Sequence, residues 1–342
     1  MTMYKDFAES LQKFFEDYLV KERGLSRHTM RSYRDCFIRF IDFLSTTKRI
    51  KPKDISMSIL DRDLIVGFLN WLEDHNRCSV QTRNQRLSCM KSFFNYMMYL
   101  DPGHLAQWKS ISTIKRKKCE EGTLDYLSIE ALALILQEID TTSIRGRRDL
   151  ALLSLLYNSG IRVQELVDLT PSSLSSSGPH VLKVFGKGRK HRVIPLDQPI
   201  MNLIASYMHE QRLDRQGREC HPLFFNARHE KLTTAGVGDI LKRHFLRAKK
   251  NNPGQFPESI SPHVFRHSRA MHLLQAGVNL IYIRDILGHA TIITTERYAR
   301  VDSKAKREAL ESAYTSIGIV EPETKTWEDN NEVLQMLKNY KF

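Results

Sequence analysis

The sequence from residue 181 reads Val181-Leu-Lys-Val-Phe185, then Gly186-Lys-Gly-Arg-Lys190, then His191-Arg-Val-Ile-Pro195. Apolar and polar residues alternate over part of the first and third segments, as in Leu182-Lys183-Val184, and a period of two is typical of a β-strand. The segment between them contains two glycines, which favour a turn. These fifteen residues therefore predict a β-hairpin with a cationic tip.

Helical patterns lie on both sides of this hairpin. Apolar residues recur at helical spacing over about 128–139, 148–157, 198–212, 234–250, 263–275, 279–287 and 291–300. A short hairpin among helices predicts an α+β domain that is mainly α with a small β component.

The part of the chain before this domain is predicted to be an all-α unit. Its amphipathic helices span about 4–22, 26–44, 61–75 and 79–100, with Gly24 ending the first and Ser26 capping the second. A charged stretch without apolar periodicity follows, and it contains Lys115-Arg-Lys-Lys118. We therefore predict a helical domain over 1–110, a basic linker over 111–123, a second domain over 124–318 and a C-terminal tail over 319–342.

The charge balance points to a polyanionic partner. The 342 residues include 52 Lys and Arg against 39 Asp and Glu, which gives a net charge of +13. Such an excess favours nucleic acid first and an acidic membrane surface second. Arg83, Arg86 and Lys91 lie on the predicted helix 79–100, where they suit DNA phosphate contacts, although basic residues also serve simply to solvate a surface.

Cysteine usage and the N-terminal sequence indicate the compartment. The five cysteines are scattered and form no C-x-x-C motif, so neither a disulfide framework nor a zinc knuckle is expected. No signal-peptide pattern and no long apolar span is present in the sequence. We therefore expect a soluble protein of a reducing cytoplasm, associated with the nucleoid when bound to DNA.

Six chemically active residues occur in three clusters. Arg162 follows Gly160-Ile161, and Lys187 lies on the hairpin tip. The segment 262–298 supplies the other four, which are His263, Arg266, His289 and Tyr298. Each has an ordinary alternative when taken alone: Arg162, for example, could simply pair with Glu165.

Taken together, these residue types suit a phosphodiester. Guanidinium groups form paired hydrogen bonds to phosphate oxygens and offset the charge that grows on phosphorus in the transition state. A tyrosine hydroxyl has a pKa near ~10, so ionising it at pH 7 costs roughly 4 kcal/mol unless a base or a cationic environment helps. A lysine can protonate the leaving sugar oxygen. Because side chains supply the positive charge, the site is expected to need no metal and no other cofactor.

The order and wording of these motifs resemble the tyrosine recombinase (phage integrase) family. Arg147-Arg-Asp-Leu-Ala-Leu-Leu-Ser-Leu-Leu-Tyr157 leads into Gly160-Ile-Arg162, and the Gly-Lys-Gly-Arg-Lys hairpin is followed by Val193-Ile-Pro195. His263-x-x-Arg-His267, Leu287-Gly-His289 and Tyr298 then follow in order. The helical residues 1–110 are similar to the family's SAM-like core-binding domain, and the layout resembles Xer-type recombinases or integrase-like transposases that lack an arm-binding domain.

The resemblance implies a role for each matching residue. Tyr298 would attack the scissile phosphate and form a 3′-phosphotyrosyl link with a free 5′-hydroxyl. Arg162 and Arg266 would clamp the phosphate, and Lys187 would protonate the leaving 5′-oxygen. His263 would assist proton transfer, and His289 would hydrogen-bond the phosphate.

The resemblance also implies partners. The substrate would be double-stranded DNA with inverted-repeat core sites, cut and rejoined by a homotetramer through a Holliday junction in integration, excision, transposition or resolution. The protein alone would be a monomer or a weak oligomer. The residues leave open whether the tail docks in cis or in trans and whether a second recombinase or an accessory factor takes part.

Two other classes of protein compete with this interpretation. His263 and His267 are four residues apart, as in a zinc hydrolase, but Val264 stands where His-Glu-x-x-His has its glutamate. The segments on either side of Ala276-Gly277 fit a helix-turn-helix regulator. A regulator would not require Arg162, Lys187 and Tyr298 in this order, whereas a catalytically inactive DNA-binding relative would retain the fold.

Overall fold

The structure is a computed structural model that describes residues 6–119, 125–175, 178–186, 191–289, 291–301 and 335. The chain divides into two compact units, 1–122 and 123–342. No helix among the described residues is both long and apolar enough to cross a lipid bilayer. The predicted tip residues 187–190, with Lys187 among them, and the tail 319–342 apart from Gln335 lie outside the described residues.

The first unit is helical. It comprises α1 (Phe7–Lys13), a π-helical continuation (Phe14–Glu22), α2 (Arg27–Thr47), α3 (Arg62–Asp74), α4 (Val80–Leu100) and α5 (Leu105–Ser112), with short 3₁₀ turns at Pro52–Asp54, Met57–Ile59 and Pro102–His104. Ser26 accepts a hydrogen bond from the backbone N–H of Thr29, so the predicted cap of α2 is present. Its core is rich in phenylalanines that pack edge to face, among them Phe14, Phe37 and Phe93.

Part of the predicted linker packs on this first unit. The helix α5 runs to Ser112, and the side chains of Ile111 and Ile114 belong to the core of the unit. The amide of Asn84 donates to the carbonyl oxygen of Lys117, and the Lys117 ammonium pairs with Glu73 at 2.6 Å. The chain therefore stays attached to the first unit well beyond residue 110.

The second unit is mainly helical with one small sheet. Its helices are α6 (Ile129–Gln137), α7 (Ile144–Ser159), α8 (Val163–Val167), α9 (Gln198–Glu210), α10 (Thr234–Asn251), α11 (Pro262–Gln275), α12 (Leu280–Leu287) and α13 (Ile293–Val301). Its strands are β1 (Leu174–Ser175), β2 (Val181–Phe185) and β3 (His191–Pro195), which pair antiparallel in that order. The predicted strands 181–185 and 191–195 are thus confirmed, and Lys183 lies opposite Val193.

The sheet and the long helix α7 share one apolar core. Leu182, Val184 and Ile194 turn inward from β2 and β3 and are buried, whereas Lys183 faces solvent. Residues 151–153 and 155–156 of α7 are buried in the same cluster. This core packs α7, β3 and α11 together, and several of the residues described next lie on or just beyond these elements.

Candidate active site

Three arginines meet at the C-terminal end of α12. The Ile286 carbonyl oxygen accepts from Nε of Arg192 at 3.0 Å, and the Leu287 carbonyl oxygen accepts from Nη2 of Arg266 at 2.7 Å. The Gly288 carbonyl oxygen accepts from Nη2 of Arg162 at 3.1 Å. The last carbonyls of a helix have no partner within it and carry partial negative charge, so they attract cations. One helix end therefore gathers guanidinium groups from three separate segments of the chain.

A buried carboxylate joins two of these arginines. Glu165, on α8, is 8% exposed and accepts from both Nη atoms of Arg192, at 2.9 and 2.6 Å. It also accepts from the backbone N–H and from Nη1 of Arg162. Burial by itself would raise the pKa of Glu165, but the hydrogen bonds and charges of Arg192 and Arg162 outweigh it and hold the pKa below its usual value.

Arg266 is the most deeply buried of the three arginines. It is 4% exposed, and its Nη1 donates to the carbonyl oxygen of Gly160 at the C-terminal end of α7. Burial, followed by the nearby charge of Arg162, lowers its pKa to about 10. The guanidinium remains charged at pH 7. Its hydrogen bonds to Gly160 and Leu287 are to neutral carbonyl oxygens, so its positive charge can still attract an anion.

Tyr298 lies beside this cluster on α13. It is 2% exposed and belongs to an apolar cluster that contains Met271, Ile283 and Leu287. Its hydroxyl is 2.8 Å from Nδ1 of His267. Burial raises the pKa of Tyr298, and the positive charges of Arg266, Arg297 and Arg162 offset part of this increase. These arginines would stabilise the phenolate as it forms.

Two further histidines border the tyrosine and the arginines. His289 stacks on the Tyr298 ring with centroids 6.3 Å apart, and its Nδ1 is 2.9 Å from Oγ1 of the buried Thr295. Burial and then the charge of Arg266 lower the pKa of His289 to about 4. Burial, followed by Arg266 and Arg162, also lowers the pKa of His263. Both rings are therefore neutral at pH 7 and can exchange protons with a substrate.

The structure brings together five of the six residues predicted to carry the chemistry. Arg162, His263, Arg266, His289 and Tyr298 lie in one region, drawn from α11, α13 and the ends of α8 and α12. Lys187 lies outside the described residues. Among the described residues, no three His, Cys, Asp or Glu side chains are grouped as metal ligands.

Four residues of this region received no role in the phosphodiester chemistry from the sequence. Glu165, Arg192, His267 and Thr295 hold the arginines, the tyrosine and His289 in place. The pairing of Arg162 with Glu165, considered above as an ordinary alternative, coexists with the cluster. His267 stands inside the His-x-x-Arg-His motif, but its spacing to Tyr298 gave no sign of their contact.

The three predicted DNA-binding residues of the first unit differ in burial and in their partners. Arg83 is 4% exposed and pairs with Glu73 at 3.1 Å, so the expectation that it is available to DNA phosphates is wrong. Packing of α4 against the charged segment that follows α5 covers it. Arg86 is half-buried and donates to the carbonyl oxygen of Ser32. Lys91 lines a groove together with Arg23 and Arg116.

Gly288 permits the arginines to converge. Its φ of +65° is left-handed, and a Cβ there would lie 2.8 Å from Nη1 of Arg192. We expect Gly288→Ala to lower the free energy of unfolding by about 1–2 kcal/mol through backbone strain. We also expect it to slow any reaction at this site about 10- to 100-fold, because the displaced Arg192 moves Glu165 and Arg162.

Gly277→Ala is the matched control for this prediction. Gly277 has a φ of +80°, and open space surrounds the position of its missing Cβ. This variant carries similar backbone strain without displacing a side chain. Urea unfolding and single-turnover rates of the two variants separate the effects, and equal rates would contradict the role assigned to Gly288.

Comparison with known proteins identifies the family. The model of the phage integrase family matches residues 126–305, and the model of the phage integrase N-terminal SAM-like domain matches residues 12–99. The integrase/recombinase y4rC of Sinorhizobium fredii is 33% identical over 91% of this chain and 92% of its own length. The tyrosine recombinase XerC of Rhodospirillum centenum is 32% identical over 90% of this chain and 87% of its own length.

Solved structures share the fold. The XerH site-specific recombinase bound to difH substrate has a TM-score of 0.65 and 22% identity, covering 94% of this chain and 91% of that one. The Tn1549 transposon integrase in complex with transposon right end DNA has a TM-score of 0.69 and 16% identity, covering 87% and 98%. The family models match both units and the relatives are similar over most of the chain, so this protein belongs to the phage integrase family of tyrosine recombinases.

Proposed function

We propose that this enzyme recombines double-stranded DNA by cutting and rejoining strands through a 3′-phosphotyrosyl intermediate. One observation carries the proposal: the Tyr298 hydroxyl is buried beside Arg162 and Arg266, whose charges favour its ionised form. A tyrosine among fixed cations suits attack on a phosphodiester, because the same guanidinium groups bind the phosphate and stabilise the charge that develops on it.

Each step has a candidate among the residues of this chain. Arg162 and Arg266 bind the non-bridging oxygens, and His289 donates a further hydrogen bond from Nε2 in the tautomer whose Nδ1 accepts from Thr295. Tyr298 forms the bond to phosphorus, and the bond to the 5′-oxygen breaks. Lys187 protonates that oxygen, and His263 assists proton transfer. The covalent link conserves the energy of the broken bond, so rejoining needs no nucleotide cofactor.

The DNA partner and the assembly are inferred from charge and from the relatives. The net charge of +13 favours a polyanion. Structural neighbours include XerH bound to difH and a lambda integrase dimer bound to a core site. We propose that this chain binds inverted-repeat core sites and acts as a homotetramer, with transposition, integration or resolution as its biological setting.

The first unit offers a phosphate-binding surface on α4. Lys91, Arg23 and Arg116 line one groove together with Ser88 and Asn95, and none of the described residues that line it is a carboxylate. Burial, and then the charge of Arg116, lowers the pKa of Lys91, so this lysine would gain from an anionic partner. We assign Lys91 to the DNA backbone, with Arg86 in support; Arg83, ion-paired and buried, is left out of this surface.

Covalent capture tests the function directly. The full chain is incubated with randomly nicked duplex fragments of the genomic DNA that flanks its coding region, denatured with detergent and sequenced through the attached DNA. Nicks close to the cleavage point release a short 5′-hydroxyl strand and so trap the intermediate. We expect 3′ ends joined to a peptide that contains Tyr298. Attachment at 5′ ends, or through another residue, would overturn the proposal.

The same experiment distinguishes the second candidate. A catalytically inactive DNA-binding relative, or a helix-turn-helix regulator that uses α11 and α12, would retard the duplexes in a gel and leave no detergent-stable adduct. The helices on either side of Gly277 are present, as the helix-turn-helix alternative requires. The convergence of three arginines on the end of α12 favours the enzyme, because a regulator has no use for it.

A further inference from the structure

Among the described residues, the Tyr298 hydroxyl forms one hydrogen bond, and its partner is His267. Nδ1 of His267 and Oη of Tyr298 are 2.8 Å apart, and their ring centroids are 5.7 Å apart. The ring is half-buried on α11, one residue after Arg266. The sequence interpretation gave the proton-transfer role to His263, whose ring centroid is 6.4 Å from that of His267.

The protonation state of His267 follows from the surroundings of the ring. Burial lowers the pKa of His267 to about 4, and nearby positive charge contributes further. The titratable and charged groups around the ring are His263 and Arg266 on α11, Arg297 and Tyr298 on α13, and His289 after α12. The ring is therefore neutral at pH 7, and in the tautomer that carries its proton on Nε2, Nδ1 accepts the hydrogen bond that Tyr298 donates.

We propose that His267 is the general base that takes the proton from Tyr298 when the tyrosine attacks; this inference rests on the function proposed above. As the Oη–phosphorus bond forms, the Oη–H bond breaks and the proton moves to Nδ1 of His267. The bond from phosphorus to the 5′-oxygen breaks, and the general acid protonates that oxygen. In rejoining, the 5′-hydroxyl attacks phosphorus and returns its proton to the general acid, and the departing phenolate recovers its proton from His267, so protons balance over the cycle.

A general base bonded to Tyr298 lowers the free-energy cost of removing the proton from its hydroxyl. Burial raises the pKa of Tyr298, so the phenolate is scarce at pH 7 even beside the arginines. A neutral acceptor already bonded to Oη removes the proton during attack and makes prior ionisation unnecessary. The low pKa of His267 also keeps the acceptor free of protons throughout the neutral range.

Two substitutions separate proton transfer from orientation. His267→Asn retains an oxygen near the position of Nδ1 that can accept the hydrogen bond but cannot take the proton, whereas His267→Ala removes both functions. Adduct formation is measured in single turnover on the duplex recovered by covalent capture. We expect both variants to be slower by about 100-fold or more at pH 7.

The pH profile is the second readout. The wild-type rate should change little between pH 6 and pH 8.5, because His267 is neutral across this range. In both variants only the pre-formed phenolate attacks, so the rate should rise about tenfold per pH unit below the pKa of Tyr298. A purely structural defect lowers the rate without adding this slope.

A second Tyr–His pair, whose histidine is also on α11, supplies the matched control. The Tyr157 hydroxyl is 2.8 Å from Nδ1 of His272, also on α11, and His272 belongs to no part of the arginine cluster. His272→Asn and His272→Ala should keep the wild-type rate and slope, while gel retardation and thermal unfolding check folding in all four variants.

Three outcomes would overturn this inference. The first is a wild-type rate in His267→Asn, and the second is a flat pH profile in both variants. The third is a rate above wild type in His267→Ala, which is expected if the hydrogen bond only restrains the tyrosine. If the wild type itself forms no adduct, the proposed function fails; if the wild type reacts and the His267 variants match it, only the role of His267 fails.

Discussion

A Tyr298→Phe variant is expected to form no covalent complex with DNA, while its affinity for duplex DNA stays close to that of the wild type. The change removes one oxygen, which is the atom proposed to bond to phosphorus. The ring keeps its contacts with the apolar cluster of Met271, Ile283 and Leu287. Losing the hydrogen bond to His267 should lower the free energy of unfolding by only about 1 kcal/mol. Detergent-stable adducts are measured by electrophoresis, and binding by gel retardation.

Tyr157→Phe is the control for this result. It also removes a tyrosine hydroxyl bonded to a histidine on α11, but outside the arginine cluster. This variant should retain adduct formation. A protease-sensitive adduct that persists in Tyr298→Phe would show that another residue is the nucleophile.

A Lys187→Ala variant is expected to cleave DNA about 100- to 10,000-fold more slowly, because the leaving 5′-oxygen then departs without a proton. A substrate with sulfur in place of the bridging 5′-oxygen should restore most of the rate. Thiols have a pKa near ~8.5, so a thiolate leaves readily without protonation. Single-turnover cleavage of the oxygen and sulfur substrates by the wild type and the variant measures the effect.

Lys183→Ala removes another lysine of the same hairpin and should cleave both substrates at the wild-type rate. Lys183 is exposed on β2 and belongs to no part of the proposed machinery. If sulfur fails to rescue Lys187→Ala, the lysine acts on the phosphate or on folding and is not the general acid.

The His267 substitutions complement this experiment, because they affect attack by the nucleophile and not departure of the leaving group. They impair the nucleophile, so sulfur at the leaving position should rescue them little. Rescue confined to Lys187→Ala would separate the general acid from the general base in one set of measurements. Equal rescue of both would mean that departure of the 5′-oxygen limits the rate in each variant.

The interpretation of this chain from sequence succeeded where the decisive information is local. Alternating residues over 181–185 and 191–195 predicted the two strands, because the period of two follows from the geometry of an extended backbone. Ser26 predicted the start of α2, because a serine oxygen satisfies the free N–H groups of the first turn. The order of Arg162, His263, Arg266, His289 and Tyr298 likewise predicted residues that the structure brings together.

The burial of Arg83 shows where local information ends. Its position on α4 is polar by sequence, but the segment after α5 returns to α4 and brings Lys117 to the same carboxylate, Glu73. The fate of a basic side chain on a helix depends on what packs against it. That contact joins residues far apart in the chain, and no periodicity within α4 encodes it.

The sequence by itself determined the types of the reactive groups, their order and the helices and strands that carry them. Only the tertiary structure decided that Arg192 joins Glu165, that His267 bonds to Tyr298, and that the end of α12 gathers the arginines. The physical reason is that a helix terminus leaves carbonyl oxygens without partners, and the groups that satisfy them come from whichever segments the apolar core brings near. Spacing along the chain cannot specify those partners, because the core that selects them forms from side chains spread over the whole second unit.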